Sequence, residues 1–171
     1  THASRLGLAA QTVGDAGKMT SMGAHYTGGN DLIALAGDAA ENFFWTTSYK
    51  LTSEKSAGAD AQLALAKKYG RDDKAANSHH YTNGIMVAQV ATEVIKRVKE
   101  KGKKVTRANL YDELNMMNGA NSFQPDTTVG PVTYSKSDHA GVDTLQLYRV
   151  DGQVFRSVGS PFSAEYIKKI K

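Results

Sequence analysis

Apolar positions along this chain follow two periods, and the longest signal is helical. Within residues 78–100, Ile85, Ala88, Ala91, Ile95 and Val98 form one stripe, and Val87, Val90 and Val94 widen it. So broad an apolar face predicts a helix packed deep against a sheet. A second helix is expected over about 57–69, with Ala61, Leu63, Leu65, Ala66 and Tyr69 apolar and Gly70 placed for a left-handed C-cap. Gly102 ends the long helix, and Thr106 can cap the next, over about 107–117, with Leu110, Tyr111, Leu114 and Met117 inward. Near the start, residues 2–13 predict a looser helix stopped by Gly14 and Gly17. A short helix follows on Leu32, Ile33, Leu35, Ala36, Ala39 and Ala40, with Asn30 as N-cap and Asp31 in its first turn.

The other period is two. Residues 18–24 alternate well enough for a short strand, and Phe43-Phe44-Trp45 predicts a strand buried on both faces. Residues 128–135 and 143–150 complete the set, the latter alternating as Leu145, Leu147 and Val150. Asp151-Gly152 then turns a hairpin into Val154-Phe155. Residues 47–56 and Arg71 to Asn77 are expected to be polar connections, Asn118-Gly119 a turn, and the last dozen residues a short helix or a peripheral tail. Alternation of this kind predicts an α/β fold with a mostly parallel sheet. The strands are few for so many helices, and the closing ones look antiparallel. Both features fit a larger protein whose remaining strands lie upstream, and residue 1 is accordingly expected to be a cut.

Composition narrows the function classes. The 171 residues are 40% apolar and 22% charged, with 16 glycines and three prolines, which suits a globular domain rather than a disordered one. No apolar run approaches the roughly 20 residues of a membrane span. The net charge of +4 comes largely from Lys96, Arg97, Lys99, Lys101, Lys103, Lys104 and Arg107, at a helix end where cations complement the dipole. Without interleaved aromatics this is a solvated face, and no nucleic-acid partner is expected. The absence of cysteine excludes thiol catalysis and thiolate metal sites and separates cytoplasm from periplasm poorly.

Three stretches, in order, resemble one family. They are Ser21-Met22-Gly23 leading through Asn30 to Ala36-Gly37-Asp38-Ala39-Ala40-Glu41; Leu65 to Gly70 with Ala75-Ala76 and Tyr81 opening a long apolar helix; and Gly130-Pro131-Val132-Thr133-Tyr134, Ser137 to Gly141 and Leu147 to Gly152. Together they resemble the C-terminal portion of type I periplasmic solute-binding proteins of the branched-chain amino-acid ABC-transporter group, over about residues 3–158. The resemblance implies two α/β lobes closing on a small solute. Residues 1–47 and 137–158 would belong to the second lobe, 48–136 to the first, and 159–171 to a C-terminal tail. It implies a non-enzymatic importer component in the periplasm, or lipid-anchored outside the cytoplasm, with a signal peptide in its precursor. Its partners would be the membrane permease and the absent N-terminal half. A ligand-sensing domain of a receptor or regulator on the same fold is the alternative; a small α/β enzyme lacks a credible acid, base and nucleophile set.

The best site candidate is the loop Ala24-His25-Tyr26-Thr27-Gly28-Gly29-Asn30, after the C-terminal end of a strand, where open α/β sheets bind ligands. Its glycines allow close backbone approach; a plain strand-to-helix turn is the competing reading. His25, Tyr26 and Thr27 are the expected solute contacts, joined by Asn77, His80 and Tyr81 at the rim of the cleft. Amino-acid-binding members often place a carboxylate at the position of His25 or Tyr26, and neither residue supplies a permanent negative charge. An aromatic acid, other carboxylate or amide is therefore as well suited as an amino acid. Adjacent His79 and His80 point different ways on a helix, so neither a metal nor any other cofactor is expected. Trp45, with Phe43 and Phe44, is expected in the core, and Asp138 and Gly141 in a turn.

Overall fold

The computed structural model describes residues 2–15 and 18–163. Six helices run α1 (His2–Thr12), α2 (Asn30–Ala36), α3 (Ala57–Lys68), α4 (Asp73–Ala76), α5 (His79–Glu100) and α6 (Arg107–Leu114). The strands are β1 (Met22–Gly23), β2 (Phe44–Thr47), β3 (Val132–Thr133), β4 (Gly141–Val142), β5 (Thr144–Asp151) and β6 (Val154–Ser163). No helix among the described residues is long and apolar enough to cross a membrane.

Local chemistry explains most of the helix ends. The hydroxyls of Ser56, Ser78 and Thr106 accept hydrogen bonds from Ala59 N, His80 N and Asn109 N, and so cap α3, α5 and α6. Gly70 and Gly102 take the left-handed conformation at φ 62° and 68° just past α3 and α5, as their positions predict. The stretch 71–77, expected to be a loop, holds a short helix instead. The Asp72 carboxylate accepts from Ala75 N at 2.7 Å and satisfies its first turn. Asn30 is the first residue of α2 and not its cap; Gly29 holds the cap position with no side-chain bond.

The larger sheet has the order β1-β2-β5-β6. Only β1 and β2 run parallel, through the α2 crossover; β2–β5 and β5–β6 are antiparallel. The expected mostly parallel sheet is therefore corrected among the described residues. The pairing of β2 with β5 joins segments a hundred positions apart (Phe44↔Arg149, Trp45↔Tyr148), and local patterning carries no information about its direction. The expected strand at 128–135 shrinks to β3, paired antiparallel with β4. The hairpin at Asp151-Gly152 forms as expected, but β6 continues through Ser163, so residues 160–163 are strand; the rest of the closing segment lies outside the described residues.

Two hydrophobic clusters form. The first gathers Leu32, Ala36, Ala40, Phe43, Trp45, Tyr148, Val150 and Phe155 around the large sheet. The second gathers Val90, Val94, Met117 and Val132 between α5, α6 and β3. Trp45 is fully buried in the first, as expected of a core residue. Contrary to the expected deep packing of α5, Val87, Ala88 and Ala91 stand exposed, and the buried line of the helix is Val90, Val94 and Val98. Tyr148 crosses toward the polar connection after β2, donating its hydroxyl to Glu54 Oε2 at 2.8 Å.

Candidate functional site

The loop between β1 and α2 lies against Trp45 on one side and the start of α5 on another. Two glycines make that approach close. A Cβ on Gly28 would collide with the Trp45 ring, and one on Gly29, at φ 110°, would collide with His79 Nδ1. The loop is tied down by its neighbours: Trp45 Nε1 donates to His25 O at 3.0 Å, and Thr47 Oγ1 lies 3.3 Å from His25 Nδ1. The Asn30 amide donates to Asn77 O at 3.1 Å, bridging 47 positions of sequence. Asn77 is itself fixed by Thr52, whose hydroxyl donates to Asn77 Oδ1 at 2.6 Å, and by its own amide donating to Asp73 O at 2.8 Å.

Aromatic and imidazole rings fill the junction. His25 meets Tyr26 and Tyr49 edge-on at ring distances of 4.7 and 4.8 Å. His79 meets Trp45 at 5.6 Å, and His80 lies 3.9 Å from His79. Burial, then the neighbouring His80 and His25, push the His79 imidazole down to about 4, against a weaker opposing pull from Asp31. Burial and then His80 also lower the His25 imidazole. Burial raises the Tyr49 phenol to about 12, with Tyr26 and Tyr134 adding to it. Near neutral pH His25 and His79 are thus neutral, and with the phenols, hydroxyls and amides around them they can hydrogen-bond a solute without a formal counter-charge.

The structure brings most of the expected site residues together. His25 and His80 face His79, Asn77 caps α4 and holds Asn30 of the loop, and Tyr26 stands beside His25 with 71% of its surface exposed. Thr27 turns away: its hydroxyl donates to Ala24 O at 2.7 Å and closes the loop's own turn. Tyr81 is half-buried in the first turn of α5. His79 is the residue the sequence reading passed over as a site contact. It is 8% exposed, and among the described residues its Nε2 has no hydrogen-bond partner. The signal was available: stepping back from Val98, Val94 and Val90 at helical spacing reaches Met86, Thr82 and His79 on one face. Among the described residues no group of three or more His, Cys, Asp or Glu side chains is placed to hold a metal ion.

Residues 2–154 match the family described as periplasmic binding protein. No curated protein matches the chain. Among solved structures, a branched-chain amino-acid ABC transporter protein from Thermus thermophilus with bound valine is 38% identical, with a TM-score of 0.89 over 98% of this chain and 44% of its own. A fatty-acid ABC transporter substrate-binding protein from Thermomonospora curvata is 19% identical, with a TM-score of 0.76 over 98% of this chain and 42% of its own. A leucine-binding protein from Thermotoga maritima is 15% identical, with a TM-score of 0.66 over 96% and 43%. The chain therefore spans less than half the length of these proteins, and the two more distant ones show the fold alone. The chain belongs to the periplasmic binding protein family.

Proposed function

We propose that this chain forms part of the extracytoplasmic solute-binding component of an ABC importer, which captures a small solute between two lobes and presents it unchanged to a membrane permease. The observation that carries this reading is the junction of the 24–30 loop with the start of α5, through Asn30–Asn77 and Gly29–His79. The loop packs on Trp45 of one hydrophobic cluster, and α5, which it meets at His79, carries Val90 and Val94 into a second. The first uses only residues of 1–47 and 137–158, and the second only residues of 48–136, in line with a two-lobed division at those boundaries; a tail could begin only after Ser163, where β6 ends. Two partly buried residues cross that division, Leu51 packing on the first cluster and Val142 on the second, as segments passing between lobes would.

The solute is an amino acid or a small carboxylic or aromatic acid. The Thermus relative carries valine, which supports the amino-acid end of that range. His25 and Tyr26 face the solute from one lobe, and Asn77, His80 and Tyr81 from the other, while Thr27, whose hydroxyl is spent on Ala24 O, shapes the loop that carries the first two. Calorimetry of the full-length protein against a panel of amino acids and small aliphatic and aromatic acids tests the class. At least one is expected to bind, and Tyr26→Ala to weaken it by about 1–3 kcal/mol through a lost hydrogen bond and ring contact. Binding by none of the panel, or unchanged affinity after Tyr26→Ala, would count against the solute class and the site respectively.

A further inference from the structure

His79 is the most constrained polar side chain of the junction. Its ring is wedged between Gly29 and Trp45, where the loop backbone comes too close for any side chain at position 29. It is 8% exposed, and its buried Nε2 has no partner among the described residues, an arrangement a folded protein keeps only for a reason. The groups facing it come from three elements. His25 belongs to the loop, His80 is its neighbour on α5, and Asp31 lies in the first turn of α2, itself 3.8 Å from Lys74 of α4. Two of the three facing groups are imidazoles, and the one acid already has a cation beside it.

We infer that His79 is a positioning residue for the solute site, holding the 24–30 loop against the start of α5 as an uncharged imidazole, and that charging it separates the two. This rests on the reading of that junction as the solute site. A proton on His79 Nε2 has no acceptor to meet among the described residues, and the ring faces two further imidazoles, so charging it disfavours the closed arrangement. In the open arrangement the ring regains water and an ordinary affinity for the proton. The sign follows. A histidine whose folded value is depressed, here from 6.5 to about 4, gives its full contribution above 6.5 and loses it as pH falls toward 4. Solute affinity is then lost over that window, and the released solute is the acid-side product.

The experiment uses full-length protein with L-valine as probe, in wild type, His79→Phe and His79→Gln. Phe keeps the ring packing without a titrating nitrogen; Gln keeps polarity and covers the case in which Phe fails to fold. Wild-type affinity is expected to fall on the order of tenfold or more between roughly pH 7 and 4.5, and the variants to lose most of that slope while still binding at pH 7. A variant with the wild-type slope overturns the inference. If wild type binds no valine at any pH, valine fails as the solute while the wider class stands. The inference is then read from the solute-free protein, where the melting temperature of wild type should fall more between those pH values than that of either variant. Equal falls overturn it whatever the solute.

Discussion

Single residues of the junction are set by close approach as much as by hydrogen bonding. Gly29 needs both a positive φ of 110° and room that a Cβ would take from His79, whereas Gly70 needs only its φ of 62°, with nothing within 4 Å of a built Cβ. Comparing the two separates backbone strain from packing. Gly70→Ala is expected to cost about 1 kcal/mol, the usual penalty of a left-handed alanine. Gly29→Ala adds the displacement of His79 and is expected to cost about 2–4 kcal/mol and to weaken solute binding as well. Thermal unfolding of the two full-length variants checks this; equal losses of stability would mean that the loop can step away from His79 freely. The loop was legible as a candidate from its glycines and its place after β1, and helical spacing puts His79 on the buried face of α5; what packs against it there comes from elsewhere in the chain and was not legible.

At the scale of elements, what was readable was what is local. The ends of α3 and α5 and the cap of α6 follow from Gly70, Gly102 and Thr106, and the structure places all three as their chemistry predicts. Sheet direction and strand length were not readable, since β2 meets β5 across a hundred residues and β1 is defined by only two pairs, Met22↔Phe44 and Gly23↔Trp45. The missed helix α4 lies between: Asp72 followed by Asp73-Lys74-Ala75-Ala76 is an adequate helix start, overlooked because the helix is one turn long. That turn matters to the site, because its C-cap is Asn77, which holds Asn30. Asp72→Ala removes the carboxylate that caps Ala75 N and is expected to destabilise the protein by about 1 kcal/mol. Loosening Asn77 should also lower solute affinity a few-fold, since lost capping energy of this size propagates only in part. Calorimetry at neutral pH checks this; full affinity alongside the lost stability would show that Asn77 is held by Thr52 alone.

For the molecule as a whole, the decisive feature is apolar surface without a cover among the described residues. Val87 and Tyr111 are 57% and 53% exposed on the α5–α6 side, Leu63 and Leu65 stand out along α3, and β6 turns Val158 and Phe162 outward at the edge of the sheet. A groove between α5 and α6 is lined by Met86, Val90, Leu110 and Leu114. Surfaces of this kind are uncommon on stable monomers, and an exposed edge strand is a template for pairing. The Thermus protein, of which this chain matches 44%, contains more than as much sequence again. That length is enough to supply the strands which three helices with open apolar faces call for. The isolated 171-residue chain is therefore expected to self-associate or to bind a hydrophobic dye, and the full-length protein to do neither. Sedimentation velocity and dye fluorescence on both decide it. A monomeric isolated chain that unfolds cooperatively and leaves the dye dark would show that these faces need no partner, and the expectation that strands from the rest of the protein cover them would fail.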